Sequence, residues 1–153
     1  MPTPEERLQE LGVSLPAPAV PVAAYVPCVR TGSLVYVSGQ VPVLDGKPSH
    51  LGHLGDNVDL EDGRAAARTC AVNVLAALKA ELGELSRVRR VVKVTGFVAS
   101  TPDFTDHPKV INAASELLGD AFGDAGRHAR AAIGVAALPL GAPVEVEAIV
   151  EVA

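Results

Sequence analysis

Two rhythms of apolar and polar residues run along this chain, and the points where one gives way to the other mark its elements. Ala67, Ala71, Val74, Leu78 and Leu82 recur at helical spacing ahead of Gly83, which predicts a long helix over 60–82. A second helix is predicted over 108–118, with Ile111, Ala114 and Leu118 facing inward and Gly119 at its end. The other rhythm has a period of two. Val144-Glu145-Val146-Glu147 opens a strand over 143–152, and small apolar residues predict another over 130–138. Residues 89–99 are rich in β-branched side chains and read as a strand. Residues 24–30 and 33–38 are two more, broken at Thr31-Gly32, and a short third is expected around Val41–Leu44 before Asp45-Gly46. Residues 45–58 are glycine-rich and form the longest loop. At the front, Thr3-Pro4-Glu5-Glu6 is a capping box with proline at the first helical position, so a short helix should cover 4–11, with Leu8 and Leu11 on one face. The proline-rich run over 16–22 should be extended.

The element order is therefore βββαβαββ behind a short helix. Two long helices on one face of a mixed sheet make an α+β two-layer sandwich. The chain divides into an N-terminal helix and extended segment, 1–22, and one domain over 23–153. Strand 130–138 is apolar on both sides. Ala131, Ile133, Val135 and Ala137 lie on one, and Ala132, Gly134, Ala136 and Leu138 follow Arg130 on the other. A strand of that kind wants cover on both faces, and the chain has helices for only one. A homo-oligomer is expected, with another copy supplying the missing cover.

Composition narrows the choice of partner. Three Phe, two Tyr and no Trp leave the core to Ala, Val and Leu. The net charge of −5 and the scattered Lys and Arg offer no basic stripe for nucleic acid. Cys28 and Cys70 fit neither a disulfide framework nor a metal set, and read as reduced, buried thiols in a cytoplasmic protein. The acidic start at Glu5 and Glu6 does not read as a secretory signal, and no apolar run suits a membrane span.

The chemistry concentrates in the last quarter. Arg130 opens a strand of alanines, which leaves room beside a guanidinium whose planar fork matches a carboxylate. The competing role is an ion pair with an acidic neighbour such as Glu145. Glu145 and Glu147 sit two apart on one strand, on the same face and roughly 7 Å from each other. One carboxylate there can position or deprotonate a water, although the stripe continues to Glu151 as a wet sheet face would. Guanidinium and carboxylate are expected close together on neighbouring strands. Ser38 stands in Val-Ser-Gly-Gln, not in a nucleophile elbow. His50 and His53 fit no zinc spacing, His107 is expected to cap the helix starting at Pro108, and His128 stands where it can edge a cleft. Asn112 is a polar residue on an otherwise apolar helix pattern.

Four stretches together resemble one family. They are Tyr25 with Gly32-Ser33-Leu34-Val35-Tyr36-Val37-Ser38-Gly39-Gln40-Val41-Pro42; Val91 to Val98; Asp103-Phe104 with Val110-Ile111-Asn112-Ala113; and Ala129-Arg130 through Leu138-Pro139 to Val144-Glu145-Val146-Glu147-Ala148. In this order they resemble the RidA/YjgF/YER057c/UK114 family of reactive-intermediate deaminases. The resemblance implies a chorismate-mutase-like fold, a homotrimer with sites in clefts between subunits, and hydrolysis of 2-imino or enamine acids to 2-oxo acids and ammonia without a cofactor or metal. It implies that Arg130 binds the substrate carboxylate and that Glu145 attends the reacting water. Tyr25, Ser38, Gly39, Gln40, Asn112 and Ala132 would line the cleft. The chain departs from the archetype at Ala132, where a cysteine is common, in its N-terminal helix and in the 45–58 loop. Two other functions compete with the deaminase. One is a non-catalytic module that binds small carboxylates such as 2-oxo acids. The other is an endoribonuclease, which the acidic balance and the scarcity of stacking aromatics oppose.

Overall fold

The computed structural model describes residues 1–18 and 24–153. Helix α1 spans Pro4–Glu10, followed by strands β1 (Cys28–Thr31), β2 (Leu34–Gln40), β3 (Val43–Leu44) and β4 (Lys47–Pro48). Helix α2 (Leu60–Leu82), strand β5 (Val88–Ala99), helix α3 (His107–Phe122) and strands β6 (Ala129–Val135) and β7 (Val144–Val152) complete the chain. One five-stranded sheet has the order β1-β2-β7-β5-β6. β5 and β6 run parallel across the α3 crossover, and the other pairings are antiparallel. The fold is α+β, with helices packed on a mixed sheet.

The local reasons are largely those written in the chain. At α1 the Thr3 hydroxyl accepts from the Glu6 N–H at 3.1 Å and the Glu6 carboxylate accepts from the Thr3 N–H at 2.8 Å, closing the capping box. Leu8 is buried in the core, whereas Leu11 stays exposed, so one of the two expected contacts forms. Glu5 ties the helix down by accepting from Lys79 Nζ at 2.7 Å and from the Leu85 N–H at 2.9 Å. In α2 the buried Ala66, Ala67, Cys70, Ala71 and Ala77 keep side chains short where the helix meets the core. Along β7, Val144, Val146, Ala148, Val150 and Val152 are buried under the helices while Glu145, Glu147, Ile149 and Glu151 take the other face.

Four expectations need correcting. The third strand does not join the main sheet. Among the described residues Val43–Leu44 pairs with Lys47–Pro48 alone, a ribbon closed by Asp45 and Gly46 at φ +51° and +79°, which is the two-residue hairpin turn that demands left-handed residues. α3 runs past Gly119 to Phe122, because Leu117, Leu118, Ala121 and Phe122 are all buried and their packing outweighs one helical glycine, about 1 kcal/mol. His107 is the first residue of α3 and not its cap; its Nε2 meets Ser100 Oγ at 3.1 Å and its ring stands edge-on to Phe104. β6 ends at Val135, after which the Ala136 carbonyl is taken by His53 Nε2 at 2.8 Å. The extended run expected over 16–22 lies outside the described residues from 19 on.

Among the described residues no helix covers the other sheet face. Val29 pairs with Tyr36, Tyr36 with Ile149, Phe97 with Ile133, and all point away from the helical layer. Val29, Tyr36 and Ile133 are about half exposed there (53%, 45% and 46%). The face also carries a hollow of about 320 Å³ bordered by Tyr36, Ser38, Lys93, Thr95 and Glu147.

Candidate functional site

The eight residues that the sequence singles out fall into two clusters. Ser38, Gly39 and Gln40 lie at the end of β2, where its register against β7 shifts between Val37 and Gln40. Ser38 Oγ donates to the Val26 carbonyl at 2.7 Å and its N–H to the Pro27 carbonyl at 2.8 Å, which ties the end of β2 to the segment carrying Tyr25. Tyr25 itself projects into solvent, 55% exposed. Gln40 Nε2 donates to the Ser38 carbonyl at 3.2 Å. The Glu145 carboxylate lies against Gly39, so close that a Cβ there would stand 2.7 Å from Oε2. Burial pushes the Glu145 carboxyl above the ordinary carboxylate range, and the charge of Glu147 pushes it the same way. A carboxylate so raised is a better proton acceptor near neutrality than a solvated one.

The second cluster is built on α3 and β6. Arg130 pairs with the buried Val94, which puts it on the helical side of the edge strand. Its Nη1 donates to Asn112 Oδ1 at 2.8 Å and to Ser115 Oγ at 3.2 Å, and Nη2 makes a long 3.5 Å contact to the Pro108 carbonyl. Ala132 follows on the same side and packs against the core. Among the described residues no carboxylate pairs with this guanidinium, so the ion pair that competes with a binding role does not form.

The structure does not bring the two clusters together within one chain. β5 lies between β6 and β7, and Glu145 pairs with Phe97 on the open face whereas Arg130 is on the helical face. β2 and β6 are three strand spacings apart, roughly 14 Å. The expectation of a guanidinium and carboxylate on neighbouring strands is wrong because the chain crosses β5 between them. Two participants were missed or undervalued. Ser115 stands three residues after Asn112 on the same helical face, a spacing that would have revealed it. His128 Nε2 meets Ser115 Oγ at 2.9 Å.

The thiols take no part. Burial, with a smaller push from Glu81, raises Cys28 to about 11, and Cys70 is fully enclosed, with burial pushing its thiol well above the ordinary range. His50 Nε2 stands 3.8 Å from Asp62, and among the described residues no three His, Cys, Asp or Glu side chains converge on a metal position.

Residues 5–152 match the family described as "YjgF/chorismate_mutase-like, putative endoribonuclease". The chain belongs to this family. It is 50% identical to the protein TCP17 of Trypanosoma cruzi over 94% of this chain and 91% of that one. It is 31% identical to a 2-iminobutanoate/2-iminopropanoate deaminase of Dermatophagoides farinae, over 90% of this chain and 93% of the relative. Among solved structures it superposes on Atu1372 of Agrobacterium tumefaciens, a protein described as of unknown function, with a TM-score of 0.93 and 50% identity, covering 98% of this chain and 92% of the other. The match to the family takes in α1, and the expected fold class holds. Among the described residues no helix is long and apolar enough to cross a membrane.

Proposed function

We propose that this protein hydrolyses 2-imino or enamine acids to 2-oxo acids and ammonia, in a cleft formed between copies of the chain. The observation that carries this reading is the state of Arg130. A guanidinium propped by three neutral oxygens, with no carboxylate beside it among the described residues, keeps its charge for an anion from outside. The likeness to a relative named as an imine deaminase supplies the substrate class.

The reaction asks little of the protein. Arg130 holds the carboxylate and so fixes the imine carbon. A water held by the Glu145 carboxylate adds its oxygen to that carbon as Glu145 takes a proton. As the C=N π bond opens, Glu145 passes that proton to the nitrogen, giving an amino alcohol. The hydroxyl proton then moves through Glu145 to the nitrogen, the C–N bond breaks, ammonia leaves, and a carbonyl closes in its place. Tyr25, Ser38, Gly39 and Gln40 would line the water side of the cleft, and Asn112 and Ala132 the carboxylate side. Because one chain keeps the two sides apart, the complete site needs a second copy, which the bare sheet face favours. A closed homotrimer satisfies both demands.

The test is an imine-loss assay. An amino-acid oxidase generates a panel of imino acids in situ, and trapping with semicarbazide reports how much survives. Wild type should lower the trapped fraction, and Arg130→Ala, with its assembly intact, should not. If neither protein changes the trapped fraction on any imine, catalysis is refuted. Binding of 2-oxo acids to the same arginine without turnover would then identify a carboxylate-binding module, the reading that the alanine at position 132 favours.

A further inference from the structure

The hydrogens around Arg130 can be assigned one by one, and they single out a residue outside the proposed cleft. His128 Nδ1 lies 2.7 Å from the Gly126 carbonyl. A carbonyl only accepts, so Nδ1 carries the ring hydrogen. Nε2 of the neutral ring is then an acceptor, and at 2.9 Å it takes the hydroxyl hydrogen of Ser115. Ser115 Oγ is left with lone pairs alone, and these face Arg130 Nη1 at 3.2 Å. The second Nη1 hydrogen goes to Asn112 Oδ1 at 2.8 Å. Both Nη1 hydrogens are thereby spent. Of the five guanidinium donors, Nε–H and one Nη2–H have no partner among the described residues, the other Nη2–H lying toward the Pro108 carbonyl.

We propose that His128, acting through Ser115, is a positioning residue that turns Arg130 so that a substrate carboxylate is gripped side-on, by Nε and Nη2. The proposal rests on the reading of Arg130 as the carboxylate site. The relay directs the serine lone pairs at the guanidinium, and without His128 the hydroxyl is free to rotate and donate elsewhere. Asn112 and Ser115 sit three apart on α3, so the prop is built on a rigid helix and holds the guanidinium plane in one orientation before substrate arrives.

Two replacements separate this role from a structural one. His128→Asn keeps a donor near the Nδ1 position for Gly126 and loses the reach to Ser115. His128→Gln does the reverse, placing an amide oxygen where Nε2 accepts. With Ser115→Ala they form a set of three, assayed with wild type for imine hydrolysis. His128→Asn and Ser115→Ala should raise KM roughly three- to tenfold with kcat little changed, the signature of lost ground-state binding. His128→Gln should stay within about twofold of wild type. A residue that merely anchors the turn at Gly126 gives the opposite order, with His128→Gln impaired and His128→Asn spared. That order, or unchanged KM in all three, overturns the proposal. The same proteins are titrated calorimetrically with 2-oxobutanoate. If wild type turns over no imine but the Kd values keep the predicted order, the relay stands and the deaminase reading falls. If wild type neither turns over imines nor binds the oxo acid, the relay falls with it.

Discussion

Gly96→Ala tests whether the packing of α3 on the sheet sets the geometry of the arginine site. Gly96 lies on β5 beneath Ile111, and it pairs with Ala132. A Cβ at position 96 would stand 2.5 Å from Ile111 Cγ1 and 2.8 Å from Cγ2, with Cδ1 also in contact. Carbons pack at roughly 3.5–4.0 Å, so about 1 Å must be found. A rotamer change moves Cγ1 and Cγ2 past each other and cannot clear both, since Ile111 is wholly buried. The helix has to lift. Overpacking of this kind costs about 1–3 kcal/mol, and in a chain of this length each kcal/mol lowers Tm by about 2–4 °C. Asn112 is the next residue, so lifting α3 also withdraws the Oδ1 that holds Arg130. The expected result is a lower Tm together with a raised KM for imino acids. Gly96→Ala/Ile111→Ala, which empties the space again, should recover part of the affinity that Gly96→Ala loses. Thermal unfolding and steady-state kinetics on the three proteins provide the check. A Gly96→Ala protein with wild-type Tm and wild-type KM would refute the argument, because it would mean that the sheet and helix have slack at this point.

Other consequences can be measured directly. Leu8 is 1% exposed, so Leu8→Ala should cost about 2–5 kcal/mol in chemical denaturation if α1 is integral to the core; a loss under 1 kcal/mol would show it to be a loose appendage. The Glu145 carboxyl is raised in the folded state, so its proton favours the fold below the ordinary carboxylate range, and that contribution is lost as pH rises through the raised value. Glu145→Gln should therefore be more stable than wild type at pH 7, with the gap closing as pH falls below the ordinary carboxylate range; a gap independent of pH would argue against a strained charge. Ile133 is 46% exposed on the bare face, and the proposed assembly predicts that in sedimentation velocity wild type runs as an oligomer and Ile133→Glu as smaller species, whereas an unchanged mass would place the interface elsewhere.

Local features were legible in the chain and long-range ones were not. The capping box at Thr3, the bounds of α2 at Leu60 and Leu82 and the alternation of β7 are written in neighbouring residues, and the structure repeats them. The place of β5 between β6 and β7 is not, since no periodicity says which distant strand a segment will pair with. That gap produced the mistaken picture of Arg130 beside Glu145 in one chain. The end of α3 was misplaced for a related reason. Glycine at 119 signals a stop locally, but the burial of Ala121 and Phe122 carries the helix past it. Within the arginine cluster Asn112 stood out as a polar residue on an apolar pattern. Ser115 did not, although its place three residues after Asn112 on the same helical face was the signal available.

The central claim is that the working site takes Arg130 from one copy of the chain and Glu145 from another. Mixed assembly tests it most directly. Arg130→Ala and Glu145→Gln are prepared separately, each expected to be inactive on imino acids, then dissociated, mixed in equal amounts and reassembled. By random assortment about one quarter of the interfaces then hold both native side chains. The account predicts that activity returns to about that fraction of wild type. No recovery, with subunit exchange verified by differently tagged chains, would contradict it and place the site within a single copy.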